Sequence, residues 1–245
     1  MPFIPHEHFD TIASTHLHAA SLASKLPLSS ERQYYMFTAD QQFAGVGSTK
    51  QSSTRHWVSA STCLALTLLV KKETDREITQ KIAQRLVIDL SNAFGIQAEH
   101  KWINDIVVEG RKLAGVLCSS VSTPRGSVQV LSVGLNIHLS PEDRESIRSI
   151  NRIDDPVALD ECCDCELLED RLLPVVTGAI LAAISSSFLP GRIFGEGRHA
   201  KFYDNNDKVE AFSGIIQGVD VDGTLKVLTN LGPLKLHHIT KYRVL

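Results

Sequence analysis

The sequence predicts an α+β fold: a mixed β-sheet flanked by helices, followed by a small all-β unit. Three observations carry this. Apolar, β-prone runs at Ser59–Val70 and Ser127–Val133 are separated by an amphipathic stretch, residues 75–93, where Ile78, Ile82, Leu86 and Leu90 repeat every four residues. Between them, His100–Leu117 reads as a β-hairpin folded about Glu109-Gly110, because glycine accepts the positive φ of a tight turn. From Phe202 onward, short β-prone runs alternate with Gly, Asp and Asn turns, the pattern of a small β-barrel-like domain. The boundary is drawn at 200/201, giving a domain over 1–200 and a second over 201–245.

Composition narrows the class. The 245 residues are 43% hydrophobic and 22% charged, enough for a full core. A net charge of −3 provides no general basic field for phosphodiesters, so no nucleic-acid partner is expected. The longest largely apolar run, Cys63–Val70, is far shorter than a membrane helix, and Met1–His8 lacks the basic start and apolar core of a signal peptide. Five cysteines, an odd number, suit reduced thiols and a cytoplasmic setting.

The elements follow in order. Residues 9–26 read as a helix, with Ala19, Leu22 and Leu26 on one face and Ser14 or Thr15 as a cap. Residues 33–47 read as a strand running into a glycine-rich loop, Gly45-Val46-Gly47. The helix at 75–93 ends on Gly95, a favourable residue just past a helix end. After the strand at 127–133, Asn136 reads as a turn residue. Residues 140–165 read as a loop, and 167–189 as a helix that Pro174 either tolerates or kinks. No metal site is expected. Cys162, Cys163 and Cys165 lack the distant second ligand pair of a zinc site. His16 and His18, two apart on a helix, point about 200° from each other.

The hairpin is the chemical centre. Lys101, Asn104 and Asp105 precede the turn, Lys112 follows it, and Gly115 leaves backbone bare for a ligand to approach. A carboxylate, an amide and a lysine beside open backbone suit an anionic ligand. The plainer alternative is a solvated surface pair, Asp105–Lys112, contributing ~0–1 kcal/mol. Lys112 is read as an exposed charge whose loss leaves the fold intact.

The whole string favours the ligand. Lys101-Trp-Ile-Asn-Asp105, then Arg111-Lys-Leu-Ala-Gly-Val-Leu117, closely resembles the biotin protein ligases, whose pattern is K-W-P-N-D, a spacer, then K-[LI]-[AG]-G-[IV]-L. Ile103 replaces the proline. Ser14-Thr15-His16 resembles the family's S-T-N, with His16 for Asn. Gln42, Gly45, Gly47, Trp57 and Ser59 match its ligand loop, where Val46 and Ser48 replace two basic residues. Val133-Gly-Leu-Asn136-Ile resembles its G-x-N-[VI] element. Gly214, Gly218, Val219, Asp220, Gly223 and Leu225 match its C-terminal SH3-like cap.

The resemblance implies a monofunctional ligase without a DNA-binding domain, using biotin and MgATP to make biotinyl-5′-AMP and then modifying a lysine on the biotin carboxyl carrier domain of carboxylases. It implies Lys112 and Asp105 as catalytic groups. Biotin falls to Ser14, Thr15, Gln42, Gly45, Lys112 and Gly115. ATP and the adenylate fall to Gly47, Arg55, Trp57, Lys101, Asn104 and Asn136, with Lys50 the alternative to Arg55 as stand-in for the missing bases. Two other readings stand beside this one: a lipoate or octanoate ligase or transferase of the same fold, and a biotin-binding relative that has lost catalysis. The R-x-x-G-G-G motif of lipoate ligases is absent from the sequence.

Overall fold

The computed structural model describes residues 4–29, 33–47, 56–57, 62–150, 155–164, 170–187, 191–203, 210–237 and 242–245. Its main sheet has seven strands: β1 (His6–Ile12), β2 (Tyr34–Gln42), β5 (Thr62–Val70), β6 (Ala98–Lys101), β7 (Asp105–Val108), β8 (Arg111–Thr123) and β9 (Gly126–His138), in the order β1-β2-β5-β9-β8-β7-β6. β1 and β2 are parallel and all other neighbours antiparallel, so the sheet is mixed. A two-residue ladder, β3 (Gly45–Val46) with β4 (His56–Trp57), stands apart.

Helices cover both faces. α2 (Ile78–Phe94) and α4 (Leu172–Ser185) bury Ile82, Leu86, Leu90, Val176 and Ile180 against Leu66, Leu68, Leu131 and Val133. α1 (Thr15–Leu22) lies on the other face, with Ala19 and Ala23 packed among Phe37, Leu69, Val128 and Val130. The alternation along β5 and β9 sends successive side chains to opposite layers. Gly95 closes α2 at φ 72°, its N–H donating to Ser91 O at 2.8 Å. Pro174 sits in the first turn of α4, where no intrahelical N–H bond is lost.

Three expectations need correction. Phe9–Ile12 belongs to strand β1, and the helix begins at Thr15. The Ser14 side chain, which accepts from Leu17 N, is the start signal that the helical reading of 9–26 overran. Asn136 lies within β9, opposite Cys63, and is not a turn residue. Residues 140–165 are not all loop. Pro141–Ile150 is a helix, α3, opened by reciprocal bonds between Ser140 and Asp143 (2.9 and 3.0 Å), with Pro141 in its first turn and Arg148 in its last. Ser-Pro-Glu-Asp was a legible helix start.

The C-terminal strands, β10 (His199–Tyr203), β11 (Glu210–Val219), β12 (Leu225–Thr229), β13 (Gly232–Leu236) and β14 (Tyr242–Val244), form one antiparallel sheet in the order β13-β12-β11-β10-β14. Among the described residues β13 and β14 remain its edges, so the sheet is open. Its apolar side, including Phe202, Ile216, Val227 and Tyr242, packs around Trp102 and Ile193. Trp102 Nε1 donates to Gly223 O at 3.0 Å, and Gln80 Nε2 donates to the same oxygen at 2.9 Å.

Candidate active site

The hairpin forms where the sequence places it, with one feature that the sequence conceals. Glu109 and Gly110 both have positive φ, 51° and 76°, as a two-residue turn requires. Asp105 pairs with Gly115 and Ile106 with Ala114, but Val107 pairs with Lys112, so Leu113 is an extra residue in β8. Lys112 stands opposite Val107, two residues from Asp105, so alternation sets both side chains on one face, and Lys112 Nζ lies 2.7 Å from Asp105 Oδ1. Without the bulge Ala114 would stand opposite Asp105 and Gly115 would face the other layer. Their side chains are only 19% and 14% exposed. The expectation of an exposed lysine is therefore corrected: this is a largely desolvated pair.

Asp105 ends a row of small residues. Ala39, Ala65, Gly134, Gly115 and Asp105 are in register across β2, β5, β9, β8 and β7. In-register neighbours share a face, and this face is the one carrying α1. Two facing glycines at its middle leave a shallow floor of backbone, with the Lys112–Asp105 pair at one end.

Over the next row stands α1. Thr15 N donates to Gln42 Oε1 at 2.8 Å, and Thr15 Oγ1 donates to the same oxygen at 3.1 Å. Thr67 Oγ1 donates to Thr15 Oγ1 at 2.9 Å and lies 2.8 Å from Ser132 Oγ. His16 bridges Ser132 (Nδ1, 2.8 Å) and Ser119 (Nε2, 2.9 Å). Burial pushes the His16 pKa down to about 4, so the ring is neutral at pH 7. Thr67, Ser132 and Ser119 escaped the sequence reading. Their signal was a hydroxyl inside an otherwise apolar strand, as at Thr67 in Cys63–Val70.

The other expected residues spread around this centre. Asn104 is clipped to β8: its Nδ2 donates to Val116 O at 3.1 Å, and Val116 N donates to Asn104 O at 2.8 Å. Asn136 is buried, its Nδ2 donating to Val157 O (3.0 Å) and Lys112 O (3.3 Å), while its Oδ1 has no partner among the described residues. The Lys112 backbone is tied to the same segment, its N donating to Asp155 O and its O accepting from Val157 N. Lys101 is in register with Asp105, yet its ammonium lies 5.4 Å from the Tyr242 ring centre, under the C-terminal sheet. Gly45 pairs with Trp57 in the small ladder beside α1, and Gly47 follows it. Lys50, Arg55 and Ser59 lie outside the described residues, as does Cys165. Among the described residues one grouping, exposed His8, Asp10 and Asp40 on the β1–β2 edge, is close enough to share a cation.

Comparison with known proteins finds relatives in sequence and in fold. The chain is 23% identical to the bifunctional ligase/repressor BirA of Bacillus subtilis (strain 168), over 94% of this chain and 71% of that protein. It is 29% identical to chloroplastic biotin–protein ligase 1 of Arabidopsis thaliana, over 51% of this chain and 34% of that one. Among solved structures, the Aquifex aeolicus biotin protein ligase in complex with biotin and ATP superimposes with a TM-score of 0.73 at 18% identity, covering 99% of this chain and all of that one. The biotin acetyl coenzyme A carboxylase synthetase of Helicobacter pylori gives 0.57 at 16% identity, with coverage of 95% and 100%. These structural likenesses establish the fold. The profile of the biotin/lipoate A/B protein ligase family matches residues 9–138, more than half of the chain, and the protein belongs to that family.

Proposed function

We propose that the protein is an ATP-dependent biotin protein ligase. The observation that carries this reading is the floor of small residues, overhung by the Thr15 and Gln42 polar groups and ended by the desolvated Lys112–Asp105 pair. Such a floor admits a compact fused bicycle, and a fixed cation at its end meets the carboxylate of the ligand. A relative named biotin–protein ligase and another named bifunctional ligase/repressor support the choice.

Two steps follow. A carboxylate oxygen of biotin attacks the α-phosphorus of MgATP, the metal arriving as part of the substrate. The new C–O–P anhydride is biotinyl-5′-AMP, and pyrophosphate leaves. Lys112 offsets negative charge as carboxylate and phosphate meet, which is worth most where water is excluded. In the second step the ε-amine of a carrier-domain lysine attacks the anhydride carbonyl, the C–O bond breaks and AMP leaves. That amine must shed a proton, and Asp105 is the carboxylate assigned to take it. Ser14, Thr15, Gln42, Gly45 and Gly115 are assigned to biotin. The nucleotide is assigned to Gly47, Trp57, Asn104 and Asn136, whose unpartnered Oδ1 suits an amino-group donor such as that of adenine. Lys101 is assigned to the nucleotide by resemblance alone. Arg55, in the stretch where Val46 and Ser48 lack charge, is assigned to the adenylate.

The partner would be the carrier domain of biotin-dependent carboxylases, and the setting cytoplasmic. Among the described residues no helix is long and apolar enough to cross a membrane. Residues 201–245 are proposed as an SH3-like unit, supported by five short antiparallel strands in one sheet, the first of which starts two residues earlier, at His199. The test is purified protein with MgATP, labelled biotin and a carrier domain. Covalent label on the carrier supports the ligase. Tight biotin binding without label favours an impaired relative, and label from lipoate alone favours the other branch of the family.

A further inference from the structure

The polar groups between α1 and the sheet run in one direction only. Gln42 must turn its oxygen toward α1, because a flipped amide would set Nε2 against the Thr15 N–H, donor to donor at 2.8 Å. The Thr15 hydroxyl proton is then spent on that oxygen, so the proton in the Thr15–Thr67 contact belongs to Thr67. Thr67 is spent in turn, so Ser132 donates to it. Ser132 is spent, so His16 Nδ1–H donates to Ser132. A neutral ring has one N–H, which leaves Nε2 bare to accept from Ser119. The order Ser119 → His16 → Ser132 → Thr67 → Thr15 → Gln42 has no alternative direction, and bonds in such a chain strengthen one another.

We propose that His16 is a positioning residue for ligand recognition: as the Nδ1–H tautomer it drives a one-way hydroxyl chain that fixes the Thr15 hydroxyl and the Gln42 amide as one acceptor beside one donor. Thr15 Oγ1 keeps one lone pair, and the Gln42 NH2 takes no part in the chain. Together they match a ligand edge with an N–H next to a C=O, such as a ureido group. The ligand's identity rests on the biotin reading above; the direction of the chain does not.

The test has two arms. On unliganded protein, nitrogen-15 NMR of His16 reads the tautomer, with a pyrrole-type Nδ1 and a pyridine-type Nε2 expected; the reverse tautomer overturns the proposal. For function, Thr67→Val keeps shape while cutting the chain. Biotin Kd is expected to rise about tenfold with the KM for ATP unchanged. His16→Met is expected to behave like Thr67→Val, and His16→Gln, which both donates and accepts, to stay within about threefold of wild type. 2-Iminobiotin, which lacks the carbonyl, should lose little further affinity in Thr67→Val, a coupling that mere loosening of the fold would not produce. A folded Thr67→Val protein with wild-type biotin affinity overturns the proposal. Wild-type protein that binds no biotin overturns the ligand reading instead, and the tautomer still decides the chain.

Discussion

Lys112→Met removes the ammonium while keeping most of the apolar stem. In the fold Nζ sits 2.7 Å from Asp105 Oδ1, a separation worth about 6 kcal/mol of attraction at an effective dielectric of ~20. Desolvating both ions offsets most of that, so the intact pair stabilises little. Breaking it is different, because Asp105, 14% exposed, stays behind without its counter-ion. A fully buried orphan costs ~3–5 kcal/mol; partial exposure reduces this to about 2 kcal/mol. Asp105→Asn should cost about the same, and the double variant should return to within about 1 kcal/mol of wild type, since nothing charged remains. Activity should not follow. Adenylate formation, read as pyrophosphate release, should fall about 10²-fold or more in Lys112→Met and stay low in the double variant. Urea unfolding supplies the stabilities. Wild-type pyrophosphate release by Lys112→Met would remove the lysine from the chemistry. Additive losses in the double variant would show that the two charges are not coupled.

Asp105→Asn should slow transfer from preformed adenylate to the carrier lysine about 10²-fold, more than it slows adenylate formation, in single-turnover experiments at neutral pH; equal slowing of both would remove Asp105 from the base role. Acid should destabilise the protein within a defined window. Burial pushes both His16 and His100 down to about 4, so the folded state resists protons that the unfolded chain takes up near 6.5. The stability is complete above 6.5, is lost as pH falls toward 4, and amounts to ~3 kcal/mol per histidine; urea midpoints that stay flat from pH 6.5 to 4.5 would contradict it. Trp102→Phe should cost ~1 kcal/mol in thermal unfolding by deleting the donor to Gly223 O, the carbonyl keeping its bond from Gln80. Arg55→Ala should speed release of the adenylate, because a guanidinium holds phosphate in a two-pronged fork; if Lys50→Ala does so and Arg55→Ala does not, the roles are exchanged.

The large elements were legible because each carries its own local signal. α2 has a four-residue apolar repeat and a glycine stop, and the hairpin has Glu-Gly at its apex. What failed was competition between signals. Ala19, Leu22 and Leu26 drew the first helix back over Phe9–Ile12, the end of a strand whose pairing with β2 is a long-range fact that no local window contains. Residues 141–150 are polar and looked like loop, yet α3 is set by caps and charge at its ends, with Ile147 buried among Ala39, Cys63, Ala65 and Leu139. β9 extends past Val133 although Asn136 is polar and turn-prone by type, because its Nδ2 donates to carbonyls from two other segments.

The site was legible as a set of residues and illegible as a geometry. Motif spacing and alternation across the turn put Lys112 opposite Val107 and so on the Asp105 face, but they also put Ala114 beside Asp105, and only the unpaired Leu113 sets Gly115 there instead. A bulge leaves no mark in residue types here, since Leu113 and Ala114 both read as ordinary strand. The same holds beneath α1. His16, the residue that departs from its family's Asn, looked like a mild exchange of one polar group for another. In the fold it is the only ring in a buried row of hydroxyls, and a ring can bond through two nitrogens on opposite edges. That reach joins β8 to β9 and lets a single tautomer orient four side chains beyond it, so the substitution carries structural consequences that its chemistry alone does not announce.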